Sequence, residues 1–530
     1  MANLFTPEID DPSDRPIAFL VSTTAAARGI RERLGSPAYS YHFVVEALAP
    51  VLERFGVLRP VDHPESRLAF AARQARREGF RPVHLAVNPL QDVYYSPHVP
   101  NVVFPFWEFP DLPDRDLGLD ARQNWHRSAR GASLILTACQ FTADAFRRAG
   151  VKCPVAVVPV PLDPSFFSLP DWDPGHSWTL TCRHEILGPE AEPGPSGVEY
   201  EPRAEPAAGW NPAKRAFRRV APWLDPHTVR RLTLAKRSMV SALKKRPDEL
   251  IYTTLRDGYR RHVRRWLNPE ALEAVSAAKR RALAAVGREP AVVPDPLLPS
   301  SPLTLSGLVY LTVFNVGDPR KNYRDILTAC IRAFEDRPDV TLAIKLVTNP
   351  RGEHHETGVL RAAYRSLGMR HRCRIAVVTE FLDEPQMSEL FRASTFYVNA
   401  SHAEGACLPL MRALAGGRPA IAPAHTAMAD YMDASLGWVV RSHEEPACWP
   451  HDPEKRLTTT RHRLVWTDLR DAFLASAETA EHSPALYHAL STAARARMQT
   501  LASQEAAAEA LRAALALLPE LATGRHAASA

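Results

Sequence analysis

The 530-residue sequence lacks the features that mark secreted and membrane-spanning proteins. Its seven cysteines are scattered without a C-x-x-C pair, which indicates reduced thiols and not a disulfide framework. No run approaches the roughly 18 apolar residues that cross a bilayer. The acidic N-terminal segment also lacks a basic-then-apolar signal pattern. We therefore expect a cytoplasmic protein, soluble or attached peripherally to the inner face of the membrane.

Charge is distributed unevenly along the chain. The net charge is +6, but residues 203–288 hold 21 basic and 7 acidic residues, a local net of +14. The remainder holds 44 basic and 52 acidic residues, a net of −8. A basic segment inside an otherwise acidic protein indicates an anionic partner for that segment.

Short apolar runs alternate with helical patterns in two parts of the chain. In the first part the strand-length runs are 16–22, 83–87, 101–106, 133–138 and 155–160. In the second part they are 307–317, 340–347, 373–378, 395–399 and 419–423. Apolar strands that alternate with helices predict parallel sheets covered on both faces. The predicted fold class is α/β, with two Rossmann-like domains facing across a cleft and a ligand site at the carboxyl ends of the strands.

These patterns divide the chain into four predicted parts. Residues 1–167 form an N-terminal Rossmann-like domain, and 305–465 form a second one. Residues 168–304 are predicted to be a Pro-rich and basic helical insertion. Residues 466–530 are Ala/Leu-rich and predict C-terminal helices, of which we expect the last residues to be disordered.

Two motifs in the second domain carry candidate chemistry. The first follows a strand and contains the adjacent cations Arg320 and Lys321, which are well placed to meet a phosphate. The residues alone fit a solvated loop with a capping asparagine equally well. The second motif contains Glu404 and Gly405 before a helix. Glu404 suits hydrogen bonds from sugar hydroxyls, and a capping carboxylate is the alternative.

Together the two motifs resemble the C-terminal domain of retaining glycosyltransferases with the GT-B fold, in the group 1 class. The family pattern is a strand, then R-K-N or K-G, and later E-G-x-x-L-P-x-x-E-A-x-A-x-G-x-P-V. This sequence has DPRKN and then EGACLPLMRALAGGRPAIA. The resemblance covers 307 to about 440 and parts of the first domain.

The resemblance implies roles for individual residues. Arg320 and Lys321 would neutralise the donor diphosphate as catalytic residues, and Glu404 would face the donor sugar. Further donor-binding residues would be Gly317, Asn322, Gly405, Cys407, Leu408, Pro409 and Arg412. The resemblance also implies retention of anomeric configuration, domain closure, and a nucleotide-sugar co-substrate with no metal or other cofactor.

One departure from the family concerns Arg412. The family places a glutamate there, eight residues after Glu404, to accept hydrogen bonds from the ribose hydroxyls. An arginine has five donors and no acceptor, so Arg412 does not repeat that role. Either it turns to the phosphates, or the nucleotide is held differently, or donor binding is lost.

Acceptor-side candidates lie in the first domain. Tyr41 and His42 stand where the family has a Gly-Gly turn, and the resemblance places Trp107 and Glu108 at the cleft. The alternatives are a locally hydrogen-bonded histidine and a packed aromatic ring beside a surface carboxylate. Residues 354–356 (His-His-Glu) have no second cluster at ligand spacing, so no metal site is expected.

The basic segment has three interpretations. Its paired cations, including a patch at Arg260, Arg261, Arg264 and Arg265, fit a solvated face, a membrane surface or a soluble anion. No zinc-finger spacing or RNA-binding aromatic pattern supports nucleic acid. The membrane surface is favoured, because many enzymes of the resembled class act on lipid-linked acceptors.

The sequence therefore predicts a bacterial, nucleotide-sugar-dependent hexosyltransferase with a glycan or lipid-linked acceptor, acting in surface polysaccharide or glycoconjugate synthesis. The alternative is a catalytically degenerate protein of the same fold that uses its basic insertion to bind an anionic partner.

Overall fold

The computed structural model describes residues 15–23, 40–115, 121–188, 299–348, 353–449, 452 and 455–518. The basic segment, with its patch at 260–265, lies outside the described residues. In the part of the chain that is described, no helix is both long enough and apolar enough to cross a membrane.

The first domain is built on a six-stranded parallel sheet in the order β2-β1-β3-β4-β5-β6. Its strands are β1 (Ile17–Ser22), β2 (Gly56–Pro60), β3 (Arg81–Ala86), β4 (Asn101–Val103), β5 (Leu134–Thr137) and β6 (Val155–Val157). Its helices are α1 (Ser40–Leu52), α2 (Pro64–Arg77), α3 (Trp125–Ser128) and α4 (Gln140–Arg148). Every residue of β1 is buried, which explains its unbroken apolar sequence.

The second domain is built on a seven-stranded sheet in the order β15-β14-β13-β10-β11-β12-β8. Six strands are parallel: β10 (Leu308–Phe314), β11 (Val340–Leu346), β12 (Arg374–Val378), β13 (Phe396–Val398), β14 (Ala420–Ala422) and β15 (Gly437–Val439). The helices between them are α6 (Tyr323–Ala333), α7 (Glu353–Leu367), α8 (Glu384–Arg392) and α9 (Leu408–Ala415). The predicted α/β class with two Rossmann-like domains is confirmed.

Seven strands were not predicted, among them β2 and β15, which are parallel edge strands of the two sheets. Strand β8 (His184–Leu187) adds to the second sheet in the antiparallel sense, beside β12. Strands β7 (Trp178–Cys182) and β9 (Ser301–Leu305) pair with each other. Strands β16 (Ser442–Cys448) and β17 (Thr458–Leu464) form an antiparallel hairpin. The described ends of the predicted insertion 168–304 therefore contribute strands to the second domain. The sequence did not reveal them, because edge strands need no long apolar run.

The C-terminal helices cover both domains. Helices α10 (Trp466–His482) and α11 (Pro484–Ala502) supply Leu469, Phe473 and Met498 to the cores of the second domain. Helix α12 (Gln504–Leu515) returns to the first domain, where Leu511 and Leu515 pack in the core that also contains Tyr41. The chain thus crosses between the domains twice, once before the second sheet and once at its end.

A fully buried arginine holds the first crossing in place. After the short helix α5 (Pro164–Phe167) the linker runs over the second domain. The guanidinium of Arg418 donates to the carbonyl of Pro170 at 2.9 Å and to that of Gly416 at 3.0 Å. It also donates to the carbonyls of Phe391 and Arg392. One side chain thus satisfies four backbone acceptors on three segments.

Replacing Arg418 should destabilise the fold strongly. Arg418→Met removes this donor from all four carbonyls, of which those of Phe391 and Gly416 keep another from Ser394 and Arg495. We expect a loss of about 3–5 kcal/mol in the free energy of unfolding. Arg365→Met, on the exposed side of α7, is the matched control and should stay within about 0.5 kcal/mol of the parent. Urea unfolding followed by circular dichroism measures both, and equal stabilities would contradict this role for Arg418.

Candidate active site

The candidate site lies where the strand order of the second sheet reverses, between β10 and β13. Strands β10 and β13 are neighbours in the sheet, but the chain leaves β10 toward β11 on one side and reaches β13 on the other. Loops 315–322 and 399–407 follow these two strands and diverge at this point. In open α/β sheets, ligands bind in the crevice that such a divergence leaves at the carboxyl ends of the strands.

Lys321 and Glu404 meet across this crevice. The Lys321 Nζ donates to Glu404 Oε1 at 2.6 Å, and the Glu404 side chain is 6% exposed. Ser401 Oγ donates to the same carboxylate oxygen at 2.6 Å. The Glu404 backbone N–H donates to Thr426 Oγ1 at 3.0 Å. One of the two predicted cations, Lys321, and the predicted sugar-facing carboxylate of Glu404 are therefore brought together as an ion pair.

The environment keeps both members of this pair charged. Burial by itself raises the pKa of a carboxyl group and lowers that of an amine. At Glu404 the positive charges of Lys321 and Arg320 outweigh burial, so its pKa lies below the ordinary value. At Lys321 the charge of Glu404 outweighs burial and raises the pKa. The pair is therefore ionised at neutral pH.

Arg320 is held by carboxylates from both domains. Its Nε and Nη2 donate to Asp318 at 3.1 and 2.7 Å, and its Nη1 lies 2.5 Å from Glu108 Oε1. Burial would raise the pKa of Asp318, but Arg320 and then Lys321 outweigh it and lower that pKa to about 2. Together with Lys321 and Glu404, the network contains two cations and three carboxylates, so its net charge is −1.

Three residues at the site have left-handed backbone conformations. They are Asn322 with φ 49°, Cys407 with φ 61° and Thr426 with φ 50°. Among the described residues, five non-glycine residues have positive φ, and three of these border the Lys321–Glu404 pair. Such conformations cost energy, especially for a β-branched threonine, and cluster at functional sites. The loops are therefore held in a specific shape at some cost in stability.

The other predicted donor-side residues surround the pair. Gly317 is exposed, and its N–H donates to Asn315 Oδ1. Gly405 lies against the first domain, where a Cβ would meet the Glu108 and Phe106 side chains at 3.5 Å. Cys407 is the buried N-terminal cap of α9, and burial raises the pKa of its thiol. Leu408 and Pro409, both half-buried, form the first turn of that helix.

Arg412 points to a carboxylate on the neighbouring helix. Its Nη2 donates to Glu384 Oε1 at 2.7 Å, and its guanidinium lies 5.2 Å from the centre of the Phe166 ring. Glu384 is the first residue of α8, where a carboxylate also favours the helix terminus. The arginine thus joins α8 to α9.

The acceptor-side candidates divide into one cleft residue and three buried ones. Glu108 reaches Arg320, as described. Trp107 is 3% exposed and packs against Trp125 and Trp449, so its ring does not line a cleft. Tyr41 is buried and accepts the Phe106 N–H at 3.0 Å. His42 is also buried and pairs with Glu46 at 3.1 Å.

A histidine cluster beside Glu404 was not predicted. The rings of His425 and His462 stack at 4.1 Å with an angle of 8°, and His402 Nδ1 lies 2.8 Å from the His462 carbonyl. The His402 N–H donates to the Arg320 carbonyl at 2.8 Å. Burial, and then His462 and His402, lower the pKa of His425 to about 3. These residues are dispersed in sequence, so no spacing signals them. In the described part of the chain, no group of three or more His, Cys, Asp or Glu side chains has a geometry suited to a metal ion.

Comparisons with known proteins find likeness in structure and not in sequence. No family model and no curated protein matches the sequence. HepE from Anabaena, in complex with UDP and glucose, is 11% identical over 94% of this chain and 99% of its own, with a TM-score of 0.44. Sucrose-phosphate synthase from Thermosynechococcus elongatus is 12% identical over 94% of this chain and 98% of its own, with a TM-score of 0.45. A glycosyltransferase from Rickettsia africae is 8% identical over 96% of this chain and 99% of its own, with a TM-score of 0.47. Likeness at this level carries no inference about activity.

Acid should destabilise the protein through His425. Between its ordinary pKa of 6.5 and its native pKa of about 3, the unfolded chain binds a proton at this residue that the native chain does not. The free energy of unfolding therefore falls as the pH drops through this window, by up to about 1.4 kcal/mol per pH unit. Urea unfolding at pH 7 and pH 5 measures this fall in the free energy of unfolding, which should be smaller for His425→Gln than for the parent. The exposed His443→Gln should match the parent; equal losses in all three would contradict this assignment.

Proposed function

We propose that the chain is a retaining GT-B glycosyltransferase that moves a hexosyl group from a nucleotide sugar to a glycan or lipid-linked acceptor. The observation that supports this most is the Lys321–Glu404 pair at the divergence point of the second sheet, with Arg320 beside it. The pair places a cation suited to phosphate next to a carboxylate suited to sugar hydroxyls, in the order that a nucleotide sugar presents these groups.

In the proposed reaction the cations act on the leaving group. The acceptor hydroxyl adds to the anomeric carbon and passes its proton to the departing diphosphate oxygen. The bond from that carbon to the diphosphate oxygen breaks, and its electron pair stays on the nucleoside diphosphate. Lys321 and Arg320 would stabilise the charge that develops there, which is a large contribution in preorganised sites. We therefore expect the transfer to need no metal ion.

Glu404 would orient the donor sugar. An ionised carboxylate only accepts hydrogen bonds, and a sugar ring offers several hydroxyl donors. Ser401 and Thr426 fix the position of this loop, so the carboxylate needs little reorganisation when a sugar arrives. Glu404 would thus hold the sugar over the diphosphate without forming a bond to it.

The setting of this reaction is also part of the proposal. We place the enzyme in the cytoplasm and in surface polysaccharide or glycoconjugate synthesis. The basic residues within 213–288 would bring it to an anionic membrane surface that carries lipid-linked acceptors.

A second candidate function is a binding or scaffold protein that has lost donor turnover. Two observations favour it. Arg412 is paired with Glu384 and offers no acceptor for a ribose. The network around Lys321 also carries a net charge of −1, which opposes the entry of a diphosphate.

A screen of nucleoside diphosphates separates these functions. For the enzyme, at least one of UDP, GDP, ADP and CDP should raise the thermal unfolding midpoint. A ligand at one hundred times its dissociation constant adds about 2.7 kcal/mol of stability. The matching nucleotide sugars should then be consumed on incubation with acceptor extracts. The absence of any shift at millimolar concentration would contradict the enzyme and favour the scaffold.

Replacing Glu404 tests its own role. Glu404→Gln keeps the shape of the side chain and removes its charge, so Lys321 is freed for phosphate. We expect transfer to fall about 100-fold, while the affinity for the nucleoside diphosphate stays equal or increases. The exposed Glu389→Gln on α8 is the control and should keep full activity. Unchanged transfer by Glu404→Gln would remove Glu404 from the mechanism.

A further inference from the structure

The contact between Glu108 and Arg320 joins the two domains at the site itself. Glu108 lies on the loop that follows β4 in the first domain, and Arg320 lies on the loop that follows β10 in the second. Their side chains are 21% and 14% exposed, and Nη1 is 2.5 Å from Oε1. A predicted phosphate ligand is therefore occupied by a carboxylate from the opposite side of the cleft.

The two carboxylates on Arg320 differ in how firmly they hold it. Asp318 lies two residues away on the same loop and accepts from both Nε and Nη2 in good geometry. Its carboxylate also accepts the Arg320 backbone N–H at 3.0 Å, which fixes the turn. Glu108 contacts only Nη1, and this close approach does not meet hydrogen-bond geometry. Of the two, Glu108 is therefore the partner that an incoming anion displaces at lower cost.

Charge gives the same result. With Glu108 in place, Asp318, Arg320, Lys321 and Glu404 complete a network of net charge −1. A diphosphate brings further negative charge, and like charges in close contact repel each other. When a phosphate replaces Glu108 on Arg320, the same guanidinium edge stays neutralised and the repulsion between the two anions is relieved. The network therefore accepts a diphosphate by exchange more readily than by addition.

We propose that Glu108 is an internal counter-anion that occupies the phosphate position on Arg320, so that diphosphate binding and this interdomain contact exclude each other. The proposal rests on the proposed function for the identity of the natural ligand. A diphosphate then has to displace Glu108 before it gains Arg320. The same exchange links occupancy of the site to the contact between the two domains.

The residues around Glu108 limit how it can leave Arg320. Either its side chain rotates or the whole first domain moves. The preceding Trp107 is packed between Trp125 at 4.7 Å and Trp449 at 5.7 Å, and its indole N–H donates to the Asp111 carbonyl. Tyr41 accepts the Phe106 N–H. The residues that precede Glu108 are thus held by contacts within the first domain, and the Glu108 side chain is the group that changes partners.

Inorganic pyrophosphate is the probe that tests this exchange, because it carries the diphosphate without a base or sugar. Isothermal titration calorimetry on the full chain should give at least about tenfold tighter binding for Glu108→Gln than for the parent. Glu108→Asp, which shortens the reach to Arg320, should fall between them. Asp111→Asn is the matched control; its carboxylate accepts from Thr459 Oγ1 at 3.2 Å, and its affinity should equal that of the parent.

Each result decides the proposal. Binding that appears only in the Glu108 variants also supports it. Equal or weaker binding by Glu108→Gln, or no binding by any variant, would overturn it. A failure of the proposed function has a different signature: pyrophosphate binding would respond to Glu108, but no nucleoside diphosphate would bind more tightly than pyrophosphate and no nucleotide sugar would be consumed. Circular dichroism at 25 °C verifies that the variants are folded.

Discussion

The bond between Lys321 and Glu404 determines the shape of the candidate site. It joins two loops that leave neighbouring strands in different directions, and both groups are largely buried. Removing one partner would leave an uncompensated charge, which costs about 3–5 kcal/mol in buried pairs. Apolar residues in place of the ion pair would join the loops without the cost of burying charge. Glycines in place of Asn322, Cys407 and Thr426 would remove the backbone strain. The chain instead keeps a strained, charged crevice, and this arrangement is understandable if the charges meet a ligand.

The surrounding charges form a network that is complete before any ligand arrives. Arg320 is shared between Asp318 and Glu108, and Arg412 is paired with Glu384. Each cation that could meet a nucleotide thus already has a carboxylate partner. Binding in such a site is an exchange of partners, so its free energy is a difference between two ion-paired states. Substitutions of the carboxylates that compete with the ligand should therefore change its affinity more than substitutions of other residues near the cations.

The sequence predicted the central parts of both sheets and the positions of the two motifs. Buried parallel strands such as β1 and β11 require continuous apolar runs. The helix expected after Glu404 and Gly405 is α9, which begins at Leu408 because Pro409 suits a first turn. The hairpin of β16 and β17 consists mostly of polar residues, few of which are fully buried, and carries no such signal. Contacts between domains, such as that of Glu108 with Arg320, depend on how two distant segments approach each other. Neither periodicity nor spacing records that approach, and the histidine cluster was missed for the same reason.

A crystal structure of the complex with a nucleoside diphosphate would show whether Lys321, Arg320 and Glu404 form a donor-phosphate site. We predict phosphate oxygens within hydrogen-bond distance of Lys321 Nζ and Arg320 Nη1, with the Glu108 carboxylate moved out of contact with Arg320. A nucleotide bound elsewhere, with the Lys321–Glu404 and Arg320–Glu108 pairs intact, would contradict it.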